Sequence, residues 1–112
     1  MPRRAAARDL ASSASVFAAL GDPTRLQLVH SLCQQGPQSI SDLSQTVAVT
    51  RQAVTKHLQV LEGAGLASSA REGRQSVWKL QPRALGRVTQ WLEQISGQWD
   101  DALQRLREHV EG

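Results

Sequence analysis

The chain of 112 residues has one cysteine, Cys33, and no run of 18 or more apolar residues. A single thiol excludes an intrachain disulfide framework and any all-cysteine metal site within one chain. Without an apolar run there is no transmembrane helix, so no membrane is expected as a partner. Charge is also scarce in total: 13 Lys and Arg stand against 10 Asp and Glu, a formal +3. A balance that small does not by itself announce a nucleic-acid partner. No nucleophile–base constellation, paired-carboxylate cleft or phosphate-cradling glycine loop stands out, so the chain is not expected to be an enzyme.

What is present is ordinary in composition, 40% hydrophobic and 21% charged, as in a folded protein rather than a disordered one. So short a chain buries its apolar surface poorly alone, and an oligomer is unsurprising. Position makes the charge informative. Residues 51–87 carry seven basic and two acidic groups, net +5, whereas residues 88–112 carry two basic and five acidic groups, net −3. The middle of the chain is suited to meeting an anion, although a solvated charged face is the alternative. Arg3, Arg4 and Arg8 ahead of residues 10–20 faintly resemble a targeting segment. Asp9 interrupts that pattern and three serines dilute it, while Leu10, Ala14, Phe17 and Gly21 share one face of an amphipathic helix. The expectation is therefore a cytoplasmic protein with a flexible basic tail over residues 1–8 and a single domain over 9–112.

Asp22-Pro23-Thr24-Arg25 starts a helix, with Asp as the cap and Pro in the first turn. That helix runs to about Gln35 and stops at Gly36-Pro37. Its Leu26, Leu28, Val29, Leu32 and Cys33 span a wide arc and predict a buried central helix. Ser39-Ile40-Ser41-Asp42 has the shape of a capping box and opens a short helix through Leu43 and Val47. A tight connection at Ala48-Val49 leads to Thr50, the cap of a second helix from Arg51 to about Glu62. Two helices joined so closely make a helix-turn-helix.

In the second helix Val54, Leu58 and Leu61 recur at i, i+4 and i+7 and face inward. Arg51, Gln52, Thr55, Lys56 and Gln59 point outward, with no acid among them. Such side chains can donate to phosphates and to base edges in a major groove, and can also be a plain solvent face. Residues 66–80 then read as two strands around Glu72-Gly73, a hairpin with Arg71 and Arg74 flanking its tip. A basic hairpin directly after a basic helix makes a wing for the phosphate backbone or minor groove.

Residues 82–110 read as one long helix. Leu85, Leu92, Trp99 and Leu106 recur every seven residues, as do Val88, Ile95, Ala102 and His109. Trp91 and Leu103 widen the stripe. The expected cover is a second copy, through Leu10 and Phe17 of the first helix together with Leu85, Val88, Trp91, Leu92, Ile95, Trp99, Leu103 and Leu106. Packing within the chain is the alternative.

The succession Ala19-Leu-Gly-Asp-Pro-Thr-Arg25, Thr50-Arg-Gln-Ala-Val-Thr-Lys-His-Leu58, Val60-Leu-Glu-Gly-Ala-Gly-Leu66 and Arg71-Glu-Gly-Arg74 resembles the ArsR-type family of winged-helix bacterial repressors. The similarity covers about residues 15–110. It implies a mainly α fold with a small β-hairpin, a winged helix-turn-helix whose first and last helices dimerise. It also implies a repressor, usually of its own operon, that leaves double-stranded operator DNA when an effector arrives. By the same resemblance Thr50, Arg51, Gln52, Thr55, Lys56 and His57 are the recognition-helix contacts, and Arg71 and Arg74 the wing contacts. His57 has a competing structural role, since it adjoins the core position Leu58. The family's sensing residues are not matched: Ser39–Leu43 holds no thiol, and the last helix offers carboxylates with one imidazole, a poor zinc site. No metal or cofactor is therefore expected. His30 and Cys33 lie one turn apart, but two ligands are too few, and Cys33 on a buried arc reads as packing. The alternatives are a protein–protein module using the basic face and a metal- or thiol-sensing repressor using Cys33.

Overall fold

Each helix start in the middle of the chain is written in its cap. The structure, a computed structural model, describes residues 2–111, with side chains from residue 11 onward. Helix α1 spans Pro2–Leu20 and α2 spans Pro23–Gln35. Asp22 Oδ2 accepts from the Arg25 backbone N–H at 3.0 Å, and Pro23 occupies the first turn, where a missing N–H is harmless. Gly36, at φ 77°, ends α2 with its N–H on the Leu32 carbonyl. Strand β1 (Gln38–Ser39) leads into α3 (Ile40–Ser44), whose cap is Ser39 accepting from the Asp42 N–H at 3.2 Å. Thr50 caps α4 (Arg51–Gly63) in the same way through Ala53, at 3.1 Å. Strands β2 (Ala67–Glu72) and β3 (Gln75–Leu80) form the hairpin, and α5 runs from Pro82 to Glu111.

Several elements differ from the sequence expectation. The helix α1 begins at Pro2, so the boundary expected at residue 9 falls inside it. The sheet has three antiparallel strands in the order β1-β3-β2, with Gln38 opposite Trp78 and Ser39 opposite Val77. Two residues are too few to show an alternating pattern, so β1 carries no sequence signal. Glu72 pairs with Gln75, which moves the loop one residue on, to Gly73-Arg74. Gly73 takes φ 62° while no described non-glycine residue has a positive φ, the pattern of a type II′ turn. The helix α3 ends at Ser44, and residues 45–50 form a longer connection than Ala48-Val49 alone.

The core is built where the helix-turn-helix meets the sheet. Leu28, Leu43, Val54, Leu58, Leu61 and Leu66 are fully buried, with Val16, Ala19, Trp78 and Ala84 around them. Only one arc of α2 joins this core, through Leu28, Val29, Ser31 and Leu32. Leu26 and Cys33 are exposed, Leu26 at 53%. At 100° per residue they stand about 140–160° from Leu28, beyond the reach of α4 and β3. The wide apolar arc therefore overstated the burial of α2, and Cys33 is not a packing residue. Gln81 closes the base of the hairpin: its N–H donates to the Leu66 carbonyl at 2.8 Å, one step beyond the Ala67–Leu80 pair, and its side-chain amide donates to the Ser68 hydroxyl.

Leu58 sits fully buried between the inward face of α4 and its neighbours. Leu58→Ala is expected to cost roughly 2–5 kcal/mol, the range for a buried leucine whose cavity relaxes incompletely. Urea unfolding at fixed protein concentration measures it, and a loss well under 1 kcal/mol would contradict the packing described.

Candidate nucleic-acid interface

The inward residues of α4 determine what is left outside. With Val54, Leu58 and Leu61 buried, Arg51, Gln52, Lys56 and Gln59 are exposed and Thr55 is half-buried. The hydroxyls at the head of this face are partly committed to the helix itself. Thr50 Oγ1 accepts from Ala53 and keeps its own proton to donate; Thr55 Oγ1 donates to the Arg51 carbonyl at 3.1 Å and keeps its lone pairs. The sole acid of α4, Glu62, lies at the opposite end. Arg71 and Arg74 are exposed on the wing, Arg74 in the turn itself, with Glu72 between them. Lys79, exposed on β3, adds a cation that was not singled out in the sequence because its strand pairing was needed to place it.

His57 does not join the outward set. It is half-buried, with Nδ1 3.2 Å from Arg25 Nη1 and 3.9 Å from Asp22 Oδ2. The bond it makes is to an arginine side chain rather than to backbone. Arg25 in turn donates from Nε to the Ala19 carbonyl at 2.6 Å and from Nη2 to the Ala18 carbonyl at 3.4 Å. One guanidinium thus joins the end of α1, the start of α2 and α4. The sequence shows why Asp22 and Pro23 belong at a helix start but says nothing of what Arg25 reaches. The bond to the Arg25 backbone N–H holds the Asp22 carboxyl below the usual carboxylate range. The guanidinium and His57 add to this, against an opposing desolvation.

Helix α5 packs on α1 near its start, where Phe17 and Trp91 meet at 5.1 Å between ring centroids with a 52° tilt. Leu85, Val88, Trp91 and Ile95 are half-buried. The rest of the stripe lies open: Leu92 between them, and Trp99, Leu103 and Leu106 beyond, are exposed, Trp99 at 65%. The Leu10 side chain lies outside the described residues. Among the described residues no three His, Cys, Asp or Glu side chains come together as a metal site. Cys33 and His30 are both exposed, on a groove shared with Pro23, Leu26 and Gln27.

The described "Bacterial regulatory protein, arsR family" matches residues 22–69, from the cap of α2 into the wing. The HTH-type transcriptional regulator YuzN of Bacillus subtilis is 38% identical over 69 residues, covering 56% of this chain and 75% of the relative. The chain belongs to the ArsR family. Among solved structures, an ArsR-like transcriptional regulator from Rhodococcus sp. RHA1 superposes with a TM-score of 0.74 at 36% identity, covering 88% of this chain and 92% of the other. A homodimeric winged helix-turn-helix DNA-binding domain from Mycobacterium bovis does so at 0.65 and 25% identity, covering 94% and 92%. This ArsR-family chain is accordingly a winged helix-turn-helix regulator, mainly helical with a small three-stranded sheet, and its relatives are transcriptional regulators rather than enzymes.

A carboxyl held down in the folded state stabilises the fold above its unfolded pKa, and that stability is lost as pH falls through the folded value. The Asp22 contribution is therefore present above about pH 4 and disappears below it. Asp22→Asn keeps a good cap without the charge. Thermal unfolding from about pH 6 down to about pH 3 is expected to show a steeper loss for the wild type than for Asp22→Asn. Identical slopes would remove the role assigned to the Asp22 charge.

Proposed function

We propose that the chain is a homodimeric, sequence-specific DNA-binding repressor, released from its operator by an unidentified effector. The observation that carries this reading is the outward face of α4, free of acids over Arg51–Gln59 and followed at once by a wing tipped with Arg71 and Arg74. In it α4 enters the major groove. Arg51, Gln52, Thr55 and Lys56 face base edges and phosphates, with Thr50 at the helix start, and Arg71 and Arg74 follow the backbone or minor groove. Gln52 is the side chain suited to reading a base, since an amide can pair bidentately with adenine; the arginines and lysine supply affinity without sequence. His57 is left out of the direct contacts because its Nδ1 is occupied by Arg25.

Dimerisation follows from α5. Its open stripe continues the seven-residue spacing past the last contact with α1, and the similar Mycobacterium bovis domain is a homodimer. A second α5 covers such a stripe with the same residues from the other side, as a two-fold interface requires. Two copies also set two recognition helices one DNA turn apart, which one copy lacks. A regulator of an operator acts where the DNA lies, so the proposed site of action is the cytoplasm.

Gel shifts with the DNA upstream of the protein's own gene test the first claim. Tight, selective binding is expected, falling steeply between about 50 and about 200 mM salt. Gln52→Ala is expected to relax sequence preference by about 1–3 kcal/mol at one position, whereas Arg74→Ala weakens all sequences alike. Equal affinity for unrelated DNA would defeat the specific-repressor reading. Sedimentation at micromolar concentration tests the second. Trp99→Glu is expected to weaken the dimer at least about tenfold, from the apolar burial lost, and a monomeric wild type would overturn the role given to α5.

A further inference from the structure

We propose that Arg25 is a positioning residue for operator binding, acting on the recognition helix through His57. The proposal rests on the DNA-binding reading above. Burial of Val54, Leu58 and Leu61 decides which side of α4 faces inward, but apolar packing is not directional and leaves small rolls and slides of the helix inexpensive. A directional bond to a fixed element removes that freedom. Among the described residues, His57 is the only side chain of α4 that hydrogen-bonds outside its own helix, and its partner is Arg25. Arg25 is itself anchored on the Ala19 and Ala18 carbonyls at the end of α1. The chain of bonds therefore runs from the end of α1 to the helix proposed to read DNA, with one guanidinium in the middle.

This bond has a protonation requirement. Arg25 can only donate, so the bond requires Nδ1 of His57 as acceptor, in a ring whose one proton is on Nε2. A protonated ring has no acceptor and repels the guanidinium. Its Nδ1–H turns instead to Asp22 Oδ2, 3.9 Å away. Asp22 and Arg25, both from α2, are the charged groups facing the ring. Residues 11–20 of α1 hold no titratable side chain, and Asp42 of α3 and Lys56 and Glu62 of α4 are exposed.

Fluorescence anisotropy on the operator, from pH 8 to about pH 5.5, tests the role over the range in which imidazoles titrate. At pH 8, Arg25→Ala and His57→Ala are each expected to lose about tenfold in affinity, typical of residues along a coupled network. His57→Asn, which restores a neutral acceptor, recovers most of that loss. As pH falls, wild-type affinity drops relative to His57→Asn; parallel pH profiles, or a rise for the wild type, would overturn the proposal. His57→Ala leaves the grip of Arg25 on α1 intact, so its result stands if Arg25→Ala unfolds. Nitrogen-15 NMR of the free protein at pH 8 reads the bond without DNA: Nδ1 unprotonated in the wild type, and no longer favoured so in Arg25→Ala. A wild type without operator affinity at any pH would refute the DNA reading and this role together. A correct Nδ1 state with unchanged affinities would refute the positioning role alone.

Discussion

Burial of Val54, Leu58 and Leu61 is the constraint from which the rest of the molecule takes its arrangement. These three positions lie on one side of α4 and meet Leu28, Leu43 and Leu66, so one cluster of leucines locks α2, α3, α4 and the start of β2 together. A helix with one side committed has its other side determined as well. The basic and amide side chains from Arg51 to Gln59 are outside because leucine is inside, and the wing stays beside them because Leu66 and Ala67 at its base are buried in the same core. The outward basic face on which the proposed DNA contact rests is thus a by-product of how a small apolar core closes.

The features legible in the sequence were those with a strong local cause. Asp22, Ser39 and Thr50 announced helix starts because a short polar side chain there satisfies backbone donors that nothing else reaches. Gly73 announced the wing, since the turn needs a positive φ. The stripe of α5 was readable because seven-residue spacing persists over its length. What escaped notice depended on partners distant in the chain. The strand β1 exists only because β3 lies opposite Gln38 and Ser39, and a two-residue strand has no pattern of its own. Cys33 is exposed despite its apolar arc, because such an arc shows which residues can be buried, not how many neighbours are available to bury them. The bond between Arg25 and His57 joins residues 32 positions apart, and no spacing rule connects them.

The separation of charge along the chain takes on a spatial meaning in the fold. The net +5 of residues 51–87 lies on α4, the wing and the first turns of α5, while the acids Asp100, Asp101, Glu108 and Glu111 lie on the far part of α5. Asp100 lies 13 residues past Arg87, the last base of that stretch, about 20 Å along the helix and more than two screening lengths at physiological salt. The acids therefore do little to weaken attraction for a polyanion, and they keep the outer part of a long apolar helix in contact with water.

The open stripe of α5 also bears on how the regulator responds to its own abundance. In the proposed dimer a single chain presents only half of the reading surface. Where single chains predominate, the concentration of complete readers grows with the square of the amount synthesised. Occupancy of a promoter then rises over a narrower span of expression than a one-chain binder would give. If the proposed repressor acts on its own gene, this damps fluctuations in its supply, and the leucines and tryptophan along α5 set the level at which that damping begins.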